Sequence, residues 1–202
     1  MDSNEELYLS WALDELQKRR HIIWYEPQSP QFFLTDSKWG VRREVKKTKI
    51  KTEDVQSMQR HVYTPDFMIK WNEDSVFYEL FPDYTKNGAP FWAFENKGED
   101  RPLSDIGNGV YSIIEVKPNF DRHNMTRGFK VNQKFIYDKL GVYVQLIKPE
   151  ILFKNTFTPD RYLYTDKSKK ERKIKFKTQS IDEYTKQLKE IYRQANQLSR
   201  KR

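Results

Sequence analysis

The run Val110-Tyr-Ser-Ile-Ile-Glu-Val116, closed by Lys117 and Pro118, constrains this fold more than any other segment. A strand this apolar has to be covered on both faces, so helices must lie against the sheet that holds it. The flanking segments agree. Thr126 to Leu140 has the length and spacing of a helix, and Gly141 is a good left-handed residue to end it. Val142 to Ile147 is a strand that stops before Pro149. Ser3 to about Arg20 is an amphipathic helix, with Leu9, Leu13 and Leu16 on one face and Ser3 and Glu6 as a capping box. The order α, several β, α, β predicts the α/β class: a mixed central β-sheet flanked by helices.

Between these anchors the sequence predicts strands at 22–26 and 32–35, separated by Pro27 and Pro30, and a twisted hairpin arm over 41–51. It also predicts a strand over 61–71 and another at 75–81, joined through the polar residues 72–74. Residues 82–110, rich in Pro and Gly, form an insertion anchored by Phe91, Trp92 and Phe94. Beyond 150, segments 161–164 and 172–177 are expected to pair as a hairpin. A final helix runs from 180 to 198, with Ser180 and Glu183 as its capping box and Ile181, Tyr184, Leu188, Ile191 and Leu198 as its apolar face. Residues 1–150 therefore make the core domain, and 151–202 a basic extension of hairpin and helix.

Composition narrows the chemistry. The 202 residues contain no cysteine and three histidines, His21, His61 and His123, far apart in sequence. Disulfides, thiolate zinc sites and cysteine nucleophiles are excluded, and a metal would need carboxylates. Thirty aromatic residues (13 Phe, 12 Tyr, 5 Trp) argue against disorder although 33% of the chain is charged. No apolar run approaches the ~18–20 residues that cross a bilayer. The polar start lacks the pattern of a secretory signal, so a cytoplasmic protein with no membrane partner is expected. No Gly-rich phosphate loop supports a nucleotide cofactor.

The net charge of +8 is unevenly placed, since residues 151–202 carry 15 Lys and Arg against 6 Asp and Glu. A second basic cluster includes Lys46, Lys47, Lys49 and Lys51. Both point to a polyanionic partner, most simply DNA. Arg122 in the loop after the apolar strand, Lys130 and Lys134 on the 126–140 helix, and Arg172, Lys173 and Lys175 in the extension are further candidates for phosphate contact.

One constellation carries chemistry. Pro65-Asp66 lies on one expected strand and Glu115-Val116-Lys117 on a later one, where alternation sends Glu115 and Lys117 to the same face. If the strands are neighbours, Asp66 and Glu115 converge on a hard cation such as Mg²⁺, which takes oxygen ligands at ~2.0–2.1 Å. Together the segments His61-Val-Tyr-Thr-Pro-Asp-Phe67 and Ile113-Ile-Glu-Val-Lys117 resemble the PD-(D/E)XK nuclease superfamily. Within it, the likeness is greatest to phage-encoded and Holliday-junction-resolvase-like endonucleases. The 126–140 helix and the 142–147 strand are similar to the end of that superfamily's αβββαβ restriction-endonuclease-like core. The resemblance covers roughly 3–20 and 61–149. It departs from the family in the 48 residues between Asp66 and Glu115, which the 82–110 insertion accounts for.

The resemblance implies a Mg²⁺-dependent DNA endonuclease, with Mn²⁺ as a substitute, in the host cytoplasm if phage-encoded. Asp66, Glu115 and the Val116 backbone would hold the metal. Lys117 would serve the attacking water, and Glu6 on the first helix would support the site. Cutting two symmetric strands would favour a homodimer. A rival pairing joins Asp83 to Glu95 and Lys97. The same residues also fit a non-catalytic nucleic-acid-binding or assembly protein that keeps a nuclease-like fold.

Overall fold

Helix α1 (Asn4–Lys18) forms where the sequence places it. The Ser3 side chain caps it, accepting from the Glu6 N–H at 3.1 Å. It ends as Arg20 turns left-handed (φ 60°) and the His21 N–H returns to the Leu16 carbonyl at 2.9 Å. The computed structural model describes residues 3–75, 77, 93–99, 101–120, 125–165 and 167–199.

Next along the chain are β1 (Ile22–Pro27), β2 (Phe32–Thr35), β3 (Lys38–Lys46), β4 (Lys49–Met58), β5 (His61–Tyr63) and β6 (Phe67–Trp71). Then come β7 (Phe94–Asn96), β8 (Gly109–Val116), α2 (Met125–Leu140), β9 (Val144–Ile147), α3 (Pro149–Asn155) and α4 (Ile181–Ser199). All eight residues of β8 are buried, as its composition requires. On one side β6 pairs antiparallel with it, and β1 pairs antiparallel with β6. The other side is shared. β7 runs antiparallel to Gly109–Tyr111, while β9 runs parallel to Ile113–Val116. The result is a mixed five-stranded sheet in an α/β fold.

Strand alternation divides the core in two. Phe67, Ile69, Trp71, Val110, Ile114 and Val116 pack with Leu9, Leu13 and Leu16 of α1. Met68, Tyr111 and Ile113 pack on the other face with Phe129 and Ile136 of α2. Each fully buried aliphatic or Phe side chain contributes ~1.5–3 kcal/mol relative to exposure, which is what fixes the register. Ser112 is a buried polar residue at the centre, and it accepts from the Trp71 indole N–H at 2.8 Å. Among the described residues no helix is long and apolar enough to cross a membrane.

Several expectations need correction. The 61–71 strand is two strands. Pro65 lacks an N–H for the ladder, so β5 pairs with β2 and only β6 joins the main sheet. The arm is longer than 41–51, since β3 and β4 form a separate two-stranded ribbon over Lys38–Met58. The 161–164 segment is a 3₁₀ turn (Asp160–Leu163) begun by Pro159, and the expected pairing is reduced to an antiparallel bridge between Tyr164 and Glu171, with the Arg172 N–H donating to the Leu163 carbonyl at 2.7 Å. Among the described residues the pairing extends no further, because the chain is drawn onto α1. Ile174 and Phe176 pack on the α1 cluster, and Arg172 sits between the Tyr8 and Tyr162 rings, at 4.8 and 4.5 Å. Helix α3 has no counterpart among the sequence expectations. It starts at Pro149, the residue expected only to end β9, and proline suits a first helical turn.

The extension shares the main core. Leu152, Phe153, Phe157, Tyr162, Ile181, Tyr184 and Leu188 belong to the α1 cluster. The Ser180–Glu183 capping box is present, with the Ser180 N–H donating to Glu183 at 2.8 Å. Ile191, assigned to the apolar face of α4, is exposed. Residues 76 and 78–81 of the strand expected at 75–81, and residues 82–92 and 100 of the 82–110 insertion, with Phe91 and Trp92, lie outside the described residues, while β7 forms within the rest of the insertion. Of that strand, Ser75 is in a loop and Phe77 is helical.

Candidate functional site

The register that pairs Phe67 with Ile114 carries one step further and sets Asp66 beside Glu115. Asp66 lies just before β6, and its carbonyl accepts from the Gln28 N–H at 2.8 Å, one step beyond the β1–β6 pairing. Its Oδ2 accepts from the Val116 N–H at 2.6 Å, which ties the end of one strand to the end of the next. Glu115 is buried on the α2 side of β8. Lys117 Nζ donates to its Oε1 at 2.5 Å, and the Tyr63 hydroxyl donates to its Oε2 at 2.5 Å. The Lys117 bond is a partly buried ion pair.

The electrostatics arise from two carboxylates sharing one poorly solvated place. Burial first, and the Glu115 charge second, push the Asp66 carboxyl up to about 7. The Val116 N–H and Lys117 oppose the rise, and the charge of Glu6 adds to it. Tyr63 is pushed above the ordinary phenol range, mainly by burial and then by Glu115, so it serves as a fixed donor.

The sequence-predicted acids Asp66 and Glu115 are thus brought together, and Lys117 joins them. Glu6 contributes its charge from α1, where it is buried and accepts from the Ser3 hydroxyl at 2.9 Å. Tyr63 is a site residue that sequence reasoning missed. The only available signal was an aromatic residue three places before Asp66, and its role depends on the fold bringing the β5 tyrosine within reach of a carboxylate 52 residues on. The rival pairing loses support: Glu95 is exposed on the short strand β7, and Lys97 bonds Glu73 at 3.0 Å. Asp83 lies outside the described residues.

The donor set suits a hard cation in kind: two carboxylates with mutual repulsion to relieve, and the Val116 backbone between Glu115 and Lys117. Among the described residues no three His, Asp or Glu side chains gather closely enough to hold a metal by themselves. A cation here would therefore rest on Asp66, Glu115, a backbone oxygen and water, the coordination Mg²⁺ favours.

The basic residues separate into groups. Lys46, Lys47, Lys49 and Lys51 are exposed on the β3–β4 ribbon, where Lys46 stands directly across from Lys49. Lys173 and Lys175 are exposed in the extension. Arg172 is not available as a phosphate contact. It donates to the Tyr162 carbonyl at 3.0 Å and the Tyr8 hydroxyl at 3.2 Å as well as stacking between their rings. Lys130 and Lys134 are exposed on α2, and Arg122 lies outside the described residues.

Comparison with known proteins finds no matching family model, and no match among curated proteins or solved structures.

Proposed function

We propose that this chain is a Mg²⁺-dependent DNA endonuclease whose active site is Asp66, Glu115 and Lys117. The observation that carries the reading is the convergence of Asp66 and Glu115 at the adjacent ends of β6 and β8, at an electrostatic cost. Burying two carboxylates together is unfavourable unless something offsets their charge, and a binding role for a cation accounts for the arrangement. The order α1, β1, β6, β8, α2, β9 supports the same reading, since it follows the αβββαβ sequence that the resemblance implies, with the short strand β7 added between β6 and β8.

Each residue then has a task. Asp66 and Glu115 hold the cation, with the Val116 carbonyl as the backbone donor. Tyr63 fixes one Glu115 oxygen so that the carboxylate keeps its orientation. Lys117, on the same face of the strand, orients a water or offsets charge that develops on the phosphate. Glu6 adds negative charge from α1. A bound Mg²⁺ supplies Lewis-acid polarisation of the phosphodiester and lowers the pKa of a coordinated water. The ribbon lysines and Lys173 and Lys175 grip the DNA backbone. Lys46 and Lys51 already lie beside Glu44 and Glu53, at 3.8 and 2.6 Å, so phosphate contact on the ribbon falls mainly to Lys47 and Lys49.

One observation favours a second reading. Lys117 already supplies a counter-charge to Glu115, as it would in a non-catalytic nucleic-acid-binding protein. Labelled linear, nicked and four-way-branched DNA, incubated with Mg²⁺, Mn²⁺ or chelator, separates the two. Metal-dependent cleavage that Glu115→Ala abolishes, with folding and DNA affinity retained, is the expected result. Tight, salt-sensitive binding without cleavage of any substrate would replace the enzyme by the binding protein.

A further inference from the structure

Helix α2 covers the sheet with Phe129 and Ile136 and turns a second surface outward. On it Val131, Phe135 and Tyr137 are 49%, 43% and 51% exposed. With Tyr143, Lys134 and Asp138 they line an open groove of about 680 Å³. Val131, Lys134, Phe135 and Asp138 have the i, i+3, i+4, i+7 spacing of a single helical stripe. Large apolar side chains grouped in this way mark an interaction surface. Lys134 and Asp138 stand one turn apart, yet among the described residues neither has a charged partner within 4.0 Å.

We propose that this face of α2 docks a second copy of the chain, with the two α2 helices antiparallel across a two-fold axis. The charge pattern selects that occupant. In an isologous contact, residue i meets residue j while j meets i. A two-fold at the level of residue 136 places Lys134 at the height of the partner's Asp138, about 3 Å along the helix from the axis, and Asp138 opposite the partner's Lys134. The same operation sets the two Phe135 rings side by side. It also brings each Val131 to the level of the partner's Gly141, where no side chain obstructs it. An unrelated partner would not require this self-complementarity, and the arrangement is independent of the nuclease reading.

Sedimentation velocity at about 100 μM and at low salt tests it, since a contact of micromolar affinity is well populated there. The wild-type protein is expected to be a dimer, and Phe135→Asp a monomer. Lys134→Glu places an acid against the partner's Asp138, and Asp138→Lys places a lysine against the partner's Lys134. Each alone should weaken association at least tenfold, while an equimolar mixture should recover most of it, because only the mixed dimer restores both pairs. Circular dichroism confirms that each variant is folded. A monomeric wild-type protein would overturn the proposal and leave the face to another protein. Failure of the mixture to associate more strongly than its components would also overturn it.

Discussion

Replacing Asp66 with Asn removes a charge that burial and Glu115 disfavour, and the structure sets the expected gain. In the unfolded chain this carboxyl ionises near pH ~3.9. In the folded protein, burial and Glu115 hold it up at about 7. As pH rises through that interval the unfolded state gives up its proton first, so stability falls from about pH 4 to about pH 7 and stays reduced above. Roughly three units at ~1.36 kcal/mol each set an upper bound of ~4 kcal/mol. Asp66 is only half-buried, and solvent screening brings the expectation to about 2 kcal/mol. The asparagine oxygen can still accept from the Val116 N–H. Urea unfolding with chelator, monitored by tryptophan fluorescence, should therefore find Asp66→Asn about 2 kcal/mol more stable than wild type at pH 8. The two should be equal near pH 4. Added Mg²⁺ should stabilise the wild-type protein at pH 8 and leave the variant nearly unchanged. Parallel pH profiles for the two proteins would refute the argument that Asp66 is electrostatically strained.

Two further substitutions test the supports of the site and of the extension. Tyr63→Phe leaves a buried Glu115 oxygen without its donor, which should cost about 1–3 kcal/mol in chemical denaturation. An unchanged midpoint at neutral pH would mean the bond contributes nothing. Arg172→Met removes two cation–π contacts and two hydrogen bonds, and should cost about 2 kcal/mol. It should also speed proteolysis within residues 160–177, whereas Lys173→Ala, at an exposed position, should do neither. Equal proteolysis of the two variants would show that the aromatic sandwich is not what holds the extension.

Local pattern carried most of the secondary structure. The apolar run of β8 requires cover on both faces whatever its neighbours are, and the spacing of Leu9, Leu13 and Leu16 defines a buried helix face before any partner is known. The capping pairs Ser3–Glu6 and Ser180–Glu183 are short-range chemistry, complete within four residues, and both are present. The acids of the candidate site were also visible, Glu115 because a charge on an apolar strand is costly without a partner and Asp66 through the Pro65-Asp66 motif.

What the sequence could not supply is long-range register. The β6–β8 pairing brings Asp66 to Glu115 across 48 intervening residues, and only the packed sheet decides which residues stand opposite one another. Tyr63 enters the site because the fold brings β5 within reach of Glu115. Arg172, one cation among many in the sequence, is held between two tyrosines, one of them 164 residues away. Residue type and spacing determine which groups are costly to bury and which helices and strands can form. The tertiary structure decides which of those groups meet, because the free energy of burying a whole face outweighs the local preference of any single side chain.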